Sequence, residues 1–177
     1  QLLNSGANSF VAEANFTNEY CIAPTNDYYT PTFVSKIANQ NLHGITQADY
    51  LIITHPLFIR EAQRLGAFHQ QKDGLTYAVA TTEEIYNEFS SGRPDICGIR
   101  DFIRMLYTKN IDLGKEVKYV LLMGDGSFRN KSKNLVNNSN LIPTYQSHES
   151  LSDTRSVALD DFYGLMDDNE GYLAEHV

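Results

Sequence analysis

Ala48-Asp49-Tyr50-Leu51-Ile52-Ile53-Thr54-His55-Pro56 is the stretch on which the fold turns. Tyr50 to Thr54 is a short, almost unbroken apolar run, as expected of a strand buried on both faces. Pro56 suits the first turn of a helix. Phe58, Ala62, Leu65 and Phe68-His69 then recur at helical spacing until Asp73-Gly74 stops the pattern. Leu75 to Ala80 reads as a second strand. Thr81-Thr82-Glu83-Glu84 is a helix start, because a threonine oxygen can accept from free amides and early carboxylates complement the helix dipole. That helix carries Ile85, Tyr86 and Phe89 and breaks at Ser90-Ser91-Gly92-Arg93-Pro94. Asp95 can cap the next one, whose stripe is Ile96, Ile99, Ile103 and Leu106, widened by Phe102 and Met105. Tyr119 to Met123 is a third strand ending in Gly124-Asp125-Gly126-Ser127. A fourth is expected at Ile142 to Gln146, and Phe162 to Met166 is a further apolar segment.

Strands alternating with helices predict an α/β fold: a three-layer, doubly wound, mostly parallel sheet, flavodoxin-like, in the order 2-1-3-4. In such sheets ligands gather beyond the carboxyl ends of the strands, where the order reverses. His55 after the first strand and Asp125 after the third are therefore the candidate site residues. Residues 1–47 differ from the rest, being rich in Asn, Thr, Ser and Tyr, with β-prone pieces at Phe10-Val11-Ala12 and Thr32-Phe33-Val34. They read as an extended, β-rich lead-in, either the end of a preceding β-domain or a poorly ordered terminus, with the α/β unit occupying residues 48–177.

The 177 residues are 42% apolar and 20% charged, the profile of a folded globular chain. A formal net charge of −8 argues against nucleic acid or an anionic membrane surface as main partner. No apolar run is long enough to span a membrane, and Gln1-Leu2-Leu3-Asn4 does not open a signal peptide. Cys21 and Cys97 are too few for a disulfide framework, and no CxxC suggests zinc.

Gly124-Asp125-Gly126-Ser127 has two readings: a strand-terminating turn with Asp125 bonded to nearby amides, or a carboxylate presented to a metal or catalytic partner. It is neither a P-loop nor GxGxxG. Asp160, Asp161, Asp167, Asp168 and Glu170 are five carboxylates in eleven residues. Calcium is the cation such oxygens suit, although the spacing is not an EF-hand. The alternative is a solvated hairpin turn for the second cluster, and for Asp160 and Asp161 a specific buried contact. No cofactor is required otherwise. His43, His55, His69, His148 and His176 show no ligand spacing. Cys97 falls in the first turns of a helix beside Ile96 and Ile99, the setting of a partly buried structural cysteine. On residues alone, an independent binding module holding calcium or a protein partner remains open. A phosphate-accepting receiver is disfavoured, because the first strand ends in Thr54-His55 instead of an acid pair.

Several stretches resemble the gingipain-type cysteine peptidase family. They are Asn39 to Gly44, Ala48 to Ile53, Glu84 to Asp95, Lys118 to Ser127 and Asp160 to Gly171, in the family's order. The resemblance implies a caspase-like α/β domain built of two side-by-side subdomains, of which this chain is the first. It implies that the catalytic cysteine and histidine lie in the second subdomain, beyond residue 177. No residue here matches either, so no catalytic residue is assigned. Within the family the likeness points to the sortase of type IX secretion in Bacteroidetes. For the intact protein this implies thiolate attack on a peptide carbonyl and transfer of the acyl group to an amine. The product would be cargo attached to surface lipopolysaccharide, placing the protein at the outer membrane and cell surface. The implied partners are a protein substrate and the remainder of the peptidase domain.

Overall fold

The computed structural model describes residues 29–127, 140–147 and 158–167. The chain divides into two compact units, Gln1–Ala38 and Asn39–Val177, each described by itself. In the first, residues 29–38 form no helix or strand, and Phe33 and Val34 of the expected β-prone piece are exposed. The other piece, Phe10-Val11-Ala12, lies outside the described residues.

In the second unit β1 (Tyr50–Thr54) pairs in parallel with β2 (Tyr77–Thr81) on one side and β3 (Tyr119–Met123) on the other. The sheet order is therefore 2-1-3. Central placement explains the unbroken apolar run: Leu51, Ile52, Ile53 and Thr54 are all fully buried. The chain leaves β1 through α1 (Ile59–Asp73) to reach β2. It then doubles back through α2 (Thr82–Phe89) and α3 (Ile96–Asn110) to reach β3. Right-handed crossovers in opposite directions put α1 on one face and α2 with α3 on the other. Leu51 and Ile53 join Ala80, Ile85, Ile99, Phe102, Ile103 and Leu106 in the main core. Ile52, between them on the strand, turns to the face that α1 covers.

The helix boundaries follow from local chemistry. Thr81 and Glu84 form a reciprocal capping box at the start of α2. The Asp95 carboxylate accepts from the Cys97 amide at the start of α3. Gly74 ends α1 at φ 70°, a left-handed position that suits glycine. The inner face of α1 departs from the predicted stripe. Only Ala62 and Gly66 are buried in it, while Phe68 is half exposed under the Lys72 ammonium. A Cβ at Gly66 would sit 2.2 Å from the Tyr77 ring, so the helix approaches the sheet through small residues and the ring fills the space.

The expected fourth strand also differs. Among the described residues nothing extends the sheet beyond β3. Only Tyr145–Gln146 (β4) is strand, and it pairs antiparallel with Ala158–Leu159 (β5) in a separate ribbon. The preceding residues are held elsewhere. Leu141 and Ile142 donate their amides to the Asp125 carbonyl, and the buried Tyr163 hydroxyl donates to the Pro143 carbonyl.

Two carboxylates tie distant segments to this frame. Asp49, buried just before β1, accepts from the Thr76 amide and hydroxyl ahead of β2 and from Lys118 ahead of β3. Glu88 of α2 accepts from the Gln40 side chain, the Leu42 and His43 amides and the His43 ring. From α3, Lys109 donates to the His43 and Ile45 carbonyls. Residues 40–45, with the short 3-10 turn Leu42–Gly44 among them, are thereby strapped across α2 and α3.

Candidate functional site

Doubly wound topology places the reversal point between β1 and β3, and the register pairs Thr54 with Met123 at their carboxyl ends. His55 and the Gly124–Ser127 turn therefore emerge on the same edge of the sheet. The buried Thr54 hydroxyl donates to the Met123 carbonyl at 2.9 Å and locks the two strand ends together. This cross-link was not anticipated from sequence, where Thr54 looked like the polar end of an apolar run.

His55 is partly buried and begins the 3-10 turn Pro56–Phe58, its Nδ1 accepting from the Leu57 amide at 3.2 Å. With Nδ1 engaged as acceptor, a neutral ring carries its proton on Nε2. Nε2 is then the atom with which His55 can donate to a ligand.

Asp125 is exposed, and its carbonyl receives both the Leu141 and Ile142 amides. The glycines beside it have a packing reason. A Cβ at Gly124 would lie 2.8 Å from Ile142, and one at Gly126 would lie 2.7 Å from Thr144. The Ser127 amide is bound by the Asn140 side chain. The motif is thus a close-packed turn that also carries a carboxylate to the strand-end edge.

Asp160 and Asp161 are placed elsewhere. Both are exposed where the 3-10 turn Asp161–Gly164 starts, beside a groove along β3. The specific burial in this segment belongs to Tyr163, which enters the core. Among the described residues no three His, Cys, Asp or Glu side chains converge as a metal site. Asp168 and Glu170 of the acidic cluster lie outside the described residues.

Cys97 is free and exposed in the first turn of α3. Partial burial of the thiol, followed by the Asp95 carboxylate, pushes its pKa up. A helix start ordinarily favours thiolate. Here burial and, after it, the capping carboxylate work against that effect. Of the described histidines, His43 is bonded to Glu88 and stacked on Phe89, and His69 is bonded to Asp73. Cys21, His148 and His176 lie outside the described residues.

The family model of peptidase family C25 matches residues 43–177. Among solved structures the chain is similar to dimeric latent PorU from Porphyromonas gingivalis, at 32% identity and a TM-score of 0.61. That similarity covers 75% of this chain and 13% of that one, so the present chain spans a small part of its relative's length. None of the curated proteins matches.

Proposed function

The chain belongs to peptidase family C25, and on that premise we propose that it is the first, scaffolding half of a cysteine peptidase domain whose nucleophile and base come from another part of the protein. The observation that carries this reading is the chemistry of Cys97. A nucleophilic cysteine needs a lowered pKa and a base within reach. This thiol is instead raised by partial burial and by Asp95, whose carboxylate caps the helix start beside it. In the proposed domain, His55 and Asp125 form one wall of the crevice and help position a bound polypeptide. The intact protein acts as a type IX secretion sortase, passing the acyl group of an exported cargo protein to an amine at the surface of a Gram-negative cell. Its location is the outer membrane. No helix among the described residues is long and apolar enough to cross a membrane.

Incubation of the purified 177-residue chain with fluorogenic peptides and a thiol-directed inhibitor tests the assignment. The expected outcome is no turnover above buffer, with Cys97→Ala indistinguishable from the parent. Inhibitor-sensitive cleavage that disappears in Cys97→Ala would move the nucleophile into this chain.

We keep calcium as a proposal at Asp160 and Asp161, supported by the acids that follow them in sequence. Ligand binding to the folded state raises the melting temperature by mass action. Melting the chain in millimolar calcium and again in chelator should show a rise of a few degrees that Asp160→Asn with Asp161→Asn removes. Equal midpoints with and without the cation exclude a tight site.

A further inference from the structure

Residues 141–146 join two parts of the fold. At one end they hold the turn that carries Asp125. The Leu141 and Ile142 amides donate to the Asp125 carbonyl at 2.8 and 3.1 Å. Ile142 and Thr144 fill the space where Cβ atoms at Gly124 and Gly126 would stand, and the neighbouring Asn140 side chain accepts from the Ser127 amide. At the other end the same segment is gripped by the turn Asp161–Gly164. The Tyr163 hydroxyl donates to the Pro143 carbonyl, and the Phe162 ring stacks on Tyr145 with 5.1 Å between centroids.

Tyr163 is the firmest of these grips. Its side chain is 3% exposed and belongs to the main core with Ile99, Phe102 and Ile103, so it is fixed from within the fold. Its hydroxyl meets a carbonyl that is itself buried, and a buried acceptor deprived of its donor is costly. Burial raises the pKa of this hydroxyl, so it keeps the proton it donates. The His55 side of the edge is fixed separately, through the Thr54 hydroxyl on the Met123 carbonyl.

We propose that Tyr163 is a positioning residue for the strand-end wall: its hydroxyl fixes residues 141–144, and these fix the Asp125 turn relative to His55. The inference rests on the reading of that wall as a guide for bound polypeptide. Small displacements of groups that orient a substrate are costly, so a hydroxyl acting through one intervening segment is felt at the wall.

Tyr163→Phe keeps the ring in the core and removes the hydroxyl alone. Hydrogen exchange on the 177-residue chain should show the Leu141 and Ile142 amides exchanging about ten-fold faster, with Leu51 and Ile53 of β1 unchanged. The amide chemical shifts of Gly124, Asp125 and Gly126 should move as well, a reading of the folded state that does not depend on overall stability. The intact C25 protein containing this sequence is then assayed with the fluorogenic peptides used above. There KM should rise about three- to ten-fold with kcat held within about two-fold, the mark of weakened binding. Exchange and shifts identical to the parent overturn the proposal. So does equal acceleration in β1 and at residues 141–142 with the shifts of the turn in place, which would make Tyr163 a stabiliser of the fold. A fall in kcat at unchanged KM overturns it too. Local loosening with both constants unchanged would leave Tyr163 in control of the turn and sink the reading of His55 and Asp125 as a polypeptide-binding wall. An intact protein that cleaves none of the peptides counts against the peptidase reading, and exchange and shifts then decide the coupling.

Discussion

Asp49→Ala is expected to destabilise the folded chain by about 3 kcal/mol in urea unfolding, the largest effect of any single polar substitution considered. A buried hydrogen bond that is broken leaves its partner unsatisfied, at about 1–3 kcal/mol each. Asp49 holds the Thr76 amide at 2.9 Å and the Thr76 hydroxyl at 2.5 Å. Lys118 at 2.8 Å adds less, because its side chain is half exposed and the pair is partly screened. The backbone of Asp49 works at the same junction. Its amide bonds to Thr76, and its carbonyl accepts from both Lys118 and Tyr119. One residue therefore sets the starting register of β1 against both neighbours, and its loss should loosen the whole sheet.

The same side chain gives the prediction a pH signature. Hydrogen bonding from Lys118, then from the Thr76 hydroxyl and amide, lowers the Asp49 pKa from 3.8 to about 2 against the opposing effect of burial. A folded-state pKa below the unfolded one contributes stability above the unfolded value and loses it as pH falls through the folded value. The contribution is at most about 2 kcal/mol and should disappear between about pH 4 and pH 2. Asp49→Ala should flatten that part of the acid limb. An acid limb unchanged by the substitution would show that the carboxylate is not clamped.

What the sequence made legible was local. β1 declared itself by its unbroken apolar run, and the starts of α2 and α3 by Thr81, Glu84 and Asp95, whose partners lie two or three residues away. His55 and Asp125 could be placed on one edge because topology alone dictates where strand ends meet. The clamps could not be read this way. Asp49 meets Thr76 across 27 residues and Glu88 meets Leu42 across 46, and nothing in composition marks either carboxylate as bonded. Periodicity also misjudged α1, because it credits large residues such as Phe68 and is blind to Ala62 and Gly66, which bring that helix close. Ile142 to Gln146 looked like a sheet strand for a related reason. Its apolar character serves contact with the Gly124 turn, which a pattern cannot distinguish from pairing.

Glu88→Ala should cost about 2–3 kcal/mol and, unlike Asp49→Ala, should act at one end of the unit. Removing the carboxylate leaves the part-buried Leu42 amide without its partner, at about 1–3 kcal/mol, and also breaks the bonds from the Gln40 side chain, which keeps the Glu84 carbonyl, and from the exposed His43 amide and ring. Burial pushes this carboxyl up. The Gln40 side chain, the Leu42 amide, and the His43 side chain and amide together outweigh it and bring the pKa from 4.5 to about 2. The strap should therefore loosen in acid as pH falls from about 4.5 toward 2, and in Glu88→Ala it should be loose at neutral pH. Hydrogen exchange distinguishes this from general destabilisation. Protection of the Leu42 and His43 amides should fall first, while the amides of β1, including Leu51 and Ile53, remain slow. Asn41 and Lys109 still hold Gly44 and the His43 and Ile45 carbonyls, so the far end of the strap should stay in place. Equal loss of protection across strap and sheet would mean that Glu88 supports the fold as a whole. Selective loss would make the strap a separable element, able to open without unfolding the sheet whose edge carries His55 and Asp125.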